Sequence, residues 1–285
     1  MTKERWISGV TAVAFLLVIF LTSRSIPESL TDPWELTNPR KIVQMIFALA
    51  LIQMVGSCLV RIFEPRAGMV LTGFLAGFVS STALTAALSK KSHHMTAKNI
   101  TLESLSFLSA TLAMLIQALI LLIVGLNQIH TSLFLLFVAP IGMTILLIVI
   151  HSRELEGDPF TIKETALIDI AAILKLTVFI AGILALSNFL KNIFGHSGIE
   201  ILTFLVSLFE IHGSIIANVQ LHDAGTIDVH FLGELLTLSL VASYISKLVL
   251  VITLGNSFLK KRILLWSIFV LLSLLLSWLV FYFTT

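Results

Sequence analysis

Glu210 and His212 stand two positions apart near the middle of an apolar run, residues 198–220 (GIEILTFLVSLFEIHGSIIANVQ), which is long enough to cross a bilayer. Ionisable groups at that depth are costly and as a rule face a partner, a cavity or a solute path. Glu210 has three readings: a proton carrier, a cation ligand, or half of a structural ion pair with Lys247. His212 reads either as a satisfied interior histidine or as a second member of the same site. Together the two are the candidate metal ligands, with the metal unspecified. A spacing of two puts them on different faces of a regular helix. Both reach one site only if the helix unwinds, and Gly213 is the expected break, since interrupted helices at mid-depth recur in transporters. Ser214 and Asn218, further along the run, complete its candidate ligands.

Two other polar centres are expected to converge on this one. Ser80, Ser81, Thr82 and Thr85 lie inside another apolar run, where they serve either as helix-packing hydroxyls or as ligands for a hard cation or an oxyanion. Ser243 and Lys247 lie inside a third. His222, Asp223, Asp228 and His230 have metal-ligand composition, but their spacing fits no standard site, and they read as a solvated or gating loop. His93 and His94 read as loop residues. Ser214, His212 and Glu210 are the residue types of a serine hydrolase, yet no nucleophile-elbow pattern accompanies them, so no enzyme is expected. No nucleotide-binding motif is present, and no cofactor is expected.

The elements that must position these residues follow from composition. Apolar residues make up 57% of 285 positions and charged residues 12%, with mean hydropathy +1.03, the profile of an integral membrane protein. Continuous apolar runs of roughly twenty residues argue for helices over the alternating strands of a barrel. The fold class is therefore an all-α integral membrane protein with about nine transmembrane helices. The first covers residues 6–21, read as an uncleaved anchor, followed by an interfacial loop holding Trp34. The second starts at Asn38-Pro39, with asparagine as cap and proline in the first turn. Further helices are expected over 69–89, 102–126, 132–150 (with Pro140 as a kink), 165–190, 198–220, 232–254 and the chain end, and Lys260-Lys261-Arg262 marks a water-exposed turn.

Sliding the chain by 130 positions aligns Gly68 with Gly198, Phe74-Leu75 with Phe204-Leu205, Gln117 with Lys247 and Gly125 with Gly255. The chain then divides into an N-terminal helix and interfacial loop (1–37) and two related four-helix repeats, 38–157 and 158–285, forming one membrane domain. Ser80 falls on Glu210 and Thr82 on His212, so the polar centres of helices three and seven become equivalent. Lys and Arg are balanced between the two sides, so orientation stays open. The single Cys58 allows no disulfide framework, and the scattered basic residues offer no nucleic-acid face. The expected partners are the bilayer and a small ion or solute; Gly73-x-x-x-Gly77 serves internal packing or a homodimer equally well.

Asn38-Pro39-Arg40, Thr72-Gly73 and the run Gly77-Phe78-Val79-Ser80-Ser81-Thr82-Ala83 resemble the domain-of-unknown-function 4010 membrane family. Asp158-Pro159-Phe160 is similar to that family's Asn-Pro-Phe, and Phe194-Gly195-His196-Ser197-Gly198 to its Phe-Gly-Asp-Ser-Gly. Lys247 looks like the lysine of its late Asn-x-x-x-Lys, with Ser243 in place of the asparagine. The resemblance covers residues 38–260 and departs at Glu210-Ile211-His212, where the family has Asp-Val-Asp. It implies a membrane protein without an assigned substrate, associated in longer chains with an MgtC/SapB-type domain that is absent here. The expected function is secondary transport of an ion or small solute in a bacterial cell membrane, with Glu210, His212 and Lys247 as coupling groups. The alternative is a regulatory membrane protein of MgtC-like type.

Overall fold

The computed structural model describes residues 3–27, 38–63, 69–94, 97–128, 130–152 and 170–284. Among these residues all regular structure is helical: α1 (Lys3–Ser25), α2 (Pro39–Phe63), α3 (Met69–Lys91), α4 (Ala97–Gly125), α5 (Thr131–Ser152), α6 (Ile170–Phe194), α7 (His196–Phe209), α8 (Ile211–Asp223), α9 (Val229–Leu254) and α10 (Ser257–Thr284), with a single 3₁₀ turn at Ser92–His94. Seven of them, α2 to α6, α9 and α10, are long and apolar enough to cross a membrane. The outward faces carry large apolar side chains, including Val178, Phe189, Phe194, Leu265 and Leu272. In water such a surface would be an aggregation liability; in lipid it is the expected exterior. The protein is a multi-pass helical membrane protein.

Short polar side chains set the helix starts. Asn38 Oδ1 accepts the Lys41 N–H at 3.3 Å, so α2 begins at Pro39 as the cap-then-proline pair predicts. Asp228 Oδ1 accepts the Phe231 N–H at 2.7 Å and opens α9, and Asn256 Oδ1 accepts that of Leu259 at 2.8 Å and opens α10. Gly195, at φ 63°, makes the tight turn between α6 and α7, a conformation that side chains disfavour.

At the centre, α3 lies along α4, and the reason is Gly73 and Gly77. A Cβ at Gly73 would sit 2.7 Å from Ser106 Cα, and one at Gly77 2.6 Å from Ala110 Cα. The Gly73-x-x-x-Gly77 face is therefore used inside the chain. α3 also crosses to α9, while α8 packs on α9 and crosses to α4; α5 packs against α10. α6 flanks α7 and α8, and α1 lies against α2. One apolar core joins α8, α9 and parts of α2, α4 and α6; a second joins α3, α4, α9 and α10 around Phe107, Tyr244 and Trp266.

Several expectations are corrected. The seventh helix, expected to run unbroken over 198–220 or to break at Gly213, is two helices that meet at Glu210. Gly213 lies inside α8, where a Cβ would come 3.1 Å from Leu176 Cδ1 of α6, so its size serves packing. Lys260, Lys261 and Arg262 lie in the first turns of α10, and Arg262 donates to Thr101 Oγ1 and covers the Trp266 ring at 5.5 Å. His93 is exposed in the 3₁₀ turn between α3 and α4, as a loop residue is expected to be, and its Nε2 lies 3.0 Å from the Leu254 carbonyl at the end of α9. Trp34, Gly68, the start of helix six and Asp158-Pro159-Phe160 lie outside the described residues.

Candidate interrupted-helix site

Two helices are broken at one extended residue each. Within α3, Ser80 has φ −166° and ψ 102°; between α7 and α8, Glu210 has φ −146° and ψ 95°. Ser80 lies midway along Met69–Lys91, and Glu210 midway along the stretch that α7 and α8 share. The two breaks are 130 positions apart, the offset at which sliding the sequence on itself places Ser80 on Glu210.

Each break residue caps the half-helix that follows it. Ser80 Oγ accepts the Ala83 N–H at 3.2 Å, and Glu210 Oε1 accepts the His212 N–H at 3.0 Å. Apolar surroundings explain the need: a freed N–H that finds neither water nor a partner costs about 1–3 kcal/mol. The carbonyl side is treated differently at the two breaks. In α3, Gln117 of α4 donates from Nε2 to the Phe78 carbonyl at 2.9 Å. At the end of α7, the Val206 carbonyl takes the Glu210 N–H at 2.8 Å, and no hydrogen bond reaches back from α8 to Ser207, Leu208 or Phe209 among the described residues.

Between the breaks lies a cavity of about 90 Å³, lined from α3 by residues 79–82, from α7 and α8 by residues 207–212, and by Gln53 of α2 and Ser243 of α9. It is large enough for a few water molecules or one small ion. Glu210 and His212 meet there after all: His212 Nδ1 donates to Glu210 Oε1 at 2.9 Å. The extended backbone at Glu210 brings together two side chains that a regular helix would have separated. Their side chains are 37% and 15% exposed, whereas Ser207 is 1% exposed, with its hydroxyl unpartnered, as is His212 Nε2.

Of the residues singled out in sequence, Ser80, Ser81, Thr82, Glu210, His212 and Ser243 line this cavity. Lys247 stands behind Ser243: its ammonium donates to Ser243 Oγ at 2.9 Å and lies 2.7 Å from Met114 Sδ, and no ion-pair contact joins it to Glu210. Thr85 donates to the Ser81 carbonyl one turn back, Ser214 pairs with Ser239 at 3.1 Å, and Asn218 accepts from Thr203 at 3.2 Å, so these three sit in helix packing away from the lining. The loop cluster disperses as well. Asp228 caps α9, Asp223 accepts the Asn127 N–H, His222 binds the Ile227 carbonyl and His230 pairs with Glu234 at 3.6 Å. No group of three potential metal-binding side chains forms among the described residues.

Gln53, Gln117 and Ser207 were not singled out as site residues by sequence. Gln53 is a lone amide in an apolar helix, a signal that intramembrane polar residues carry in general; Ser207 is one serine among many and gives none. Glu103 of α4 was also missed: it is wholly buried, and neither carboxyl oxygen has a hydrogen-bond partner.

The fold and the site define a class: multi-pass helical membrane proteins with two interrupted helices around a polar cavity at mid-helix depth. The chain belongs to the family described as Domain of unknown function (DUF4010), whose family profile matches residues 47–255, a stretch that takes in both breaks and every residue lining the cavity. Neither a curated protein nor a solved structure matches the chain.

Proposed function

We propose that this protein is a secondary transporter of an ion or small solute, built from two related four-helix halves behind the N-terminal α1, and working through the cavity between Ser80 and Glu210. On this reading α7 and α8 form one interrupted crossing, which with α1 and the seven long helices brings the total to about nine. The observation that carries the reading is the pair of extended breaks at sequence-equivalent positions facing one polar cavity. Non-helical backbone at membrane depth is tolerated where it lines a cavity or is buried in protein, and paired interrupted helices at a repeat interface are how many transporters hold solute. The packing supports the same reading, because α3 crosses from α4 to α9 as α8 crosses from α9 to α4. Glu210 and His212 exchange protons or ligate; Lys247, one layer behind, responds to the charge in the site. The membrane we assign to it is the bacterial cell membrane, and the driving force is an ion gradient or the solute's own.

The test is flux. Purified protein in liposomes carrying an internal pH dye is challenged with a panel of cations and anions, wild type beside Glu210→Gln. Solute-dependent flux that is lost in the variant, with its thermal melt intact, supports coupled transport. An absence of flux for every solute, together with an unaltered Glu210→Gln phenotype in cells, refutes it and favours the regulatory alternative.

A further inference from the structure

The cavity has two kinds of backbone ends around it, and which of them remain free decides the charge of what it holds. Half-helix N-termini would attract an anion through their unpaired N–H groups. Here each break residue holds one such donor. The Ala83 N–H is held by Ser80 Oγ, and the His212 N–H by Glu210 Oε1. Three side-chain donors nearby are engaged too, the Gln117 amide on the Phe78 carbonyl, the Lys247 ammonium on Ser243 and Met114, and His212 Nδ1 on Glu210, while the Gln53 amide in the lining can donate or accept.

The lining is also rich in oxygen acceptors. Glu210 is the one carboxylate among the lining residues. The carbonyls of Ser207, Leu208 and Phe209, on residues that also line the cavity, receive no hydrogen bond from α8. Ser207 Oγ is buried and unpartnered beside them, and Ser81 and Thr82 add hydroxyl oxygens from the other break. Buried polar groups in folded proteins are satisfied by protein, water or a ligand, so a surplus of oxygen acceptors around a small cavity is matched by a cation.

We infer that the cavity binds a small monovalent cation of the alkali class, held by the Glu210 carboxylate, the terminal carbonyls of α7 and the hydroxyls of Ser207, Ser81 and Thr82. The inference rests on the transport reading only for its consequence, since binding can be measured without flux. Hard oxygen ligands suit an alkali ion over a transition metal, and the absence of three grouped His, Cys, Asp or Glu side chains among the described residues argues the same way. With a single carboxylate in the lining, a divalent ion would leave a larger uncompensated charge at depth than a monovalent one. Lys247, held behind Ser243, repels the bound ion and thereby limits its affinity.

The experiment is a thermal-melt and calorimetric titration of the purified full chain in detergent with sodium, lithium and potassium salts against choline, each as chloride and as gluconate. We expect saturable stabilisation that follows the cation and is indifferent to the anion. Glu210→Gln weakens it at least about tenfold, and Lys247→Met tightens it about three- to tenfold by removing the repulsion. Ser207→Ala weakens it without changing the fold, and carries the test if Glu210→Gln does not fold. Stabilisation that follows the anion, or Lys247→Met weakening binding, overturns the assignment, as does the absence of any alkali-cation effect. Cation binding without flux in liposomes leaves the site standing and removes the transport reading; anion flux without cation binding does the reverse.

Discussion

Gln117→Met tests the idea that α3 stays open at Ser80 because a neighbour has taken over its backbone bonding. Methionine keeps the length and flexibility of glutamine but has no donor, so the substitution removes one contact, Nε2 to the Phe78 carbonyl at 2.9 Å, with little change in packing. Gln117 is buried against α3 and Phe78 is partly buried, so water can replace the lost donor only in part. A neutral hydrogen bond contributes about 0.5–1.5 kcal/mol net, and an orphaned buried carbonyl costs up to about 3 kcal/mol. A loss of about 1–2 kcal/mol is therefore expected. At about 2–4 °C per kcal/mol for a chain of this size, that is a fall in melting temperature of roughly 2–8 °C in detergent. Intrinsic tryptophan fluorescence supplies the readout, since Trp266 and Trp278 lie in α10, a different helix from Gln117. An unchanged or raised melting temperature in Gln117→Met would show that the Phe78 carbonyl does not depend on this side chain, and that the break is held open by something else.

Substitutions at three further positions probe the frame around the site. Gly77→Leu drives a side chain into the backbone of Ala110, already 2.6 Å from a Cβ placed there, and should cost about 3 kcal/mol or more, read as loss of a folded peak in size-exclusion chromatography; a normally folded protein would refute the α3–α4 contact. Asp228→Ala removes the cap on the Phe231 N–H and should cost about 1 kcal/mol by thermal melt, whereas Asp228→Asn should be nearly neutral. Glu103→Leu replaces a wholly buried carboxyl that has no hydrogen bond by a side chain of similar size, and should stabilise by about 1–3 kcal/mol. Destabilisation instead would mean that Glu103 has a partner in the membrane, with Lys91 as a candidate charge.

The membrane class and the helix order were legible because both rest on long apolar runs, which few alternatives can mimic. The start of α2 was legible for a local reason, the asparagine before Pro39. What sequence could not settle were contacts between helices. A structural ion pair with Lys247 was one of three readings of Glu210, made on chemical type, but the position of Lys247 on α9 turns its ammonium towards Met114 of α4, a residue with no charge to announce it. Thr85, Ser214 and Asn218 share the residue types of the lining, yet each faces a neighbour in its own or an adjacent helix. Hydroxyl and amide groups are ambiguous in a membrane helix, since the same atom can lock a turn or face a solute, and only the helix rotation decides.

The location of the second break shows how far a local rule reaches and where it stops. Glu210 and His212 cannot share a site across a regular turn, so a shared site required helix seven to unwind, and the structure unwinds it. Gly213 was expected to supply the break, since glycine weakens helices. The break falls instead on the acid. In a membrane the decisive cost is the freed N–H groups, and glycine has no side chain to satisfy them. A carboxylate that accepts the His212 N–H both ends one helix and starts the next, and the same side chain then presents its charge to the cavity. Ser80 does the corresponding work in α3 with a hydroxyl, which caps without adding charge. Two breaks, one charged and one neutral, leave a single negative group between them, and that asymmetry is what makes the cavity a place for one positive ion.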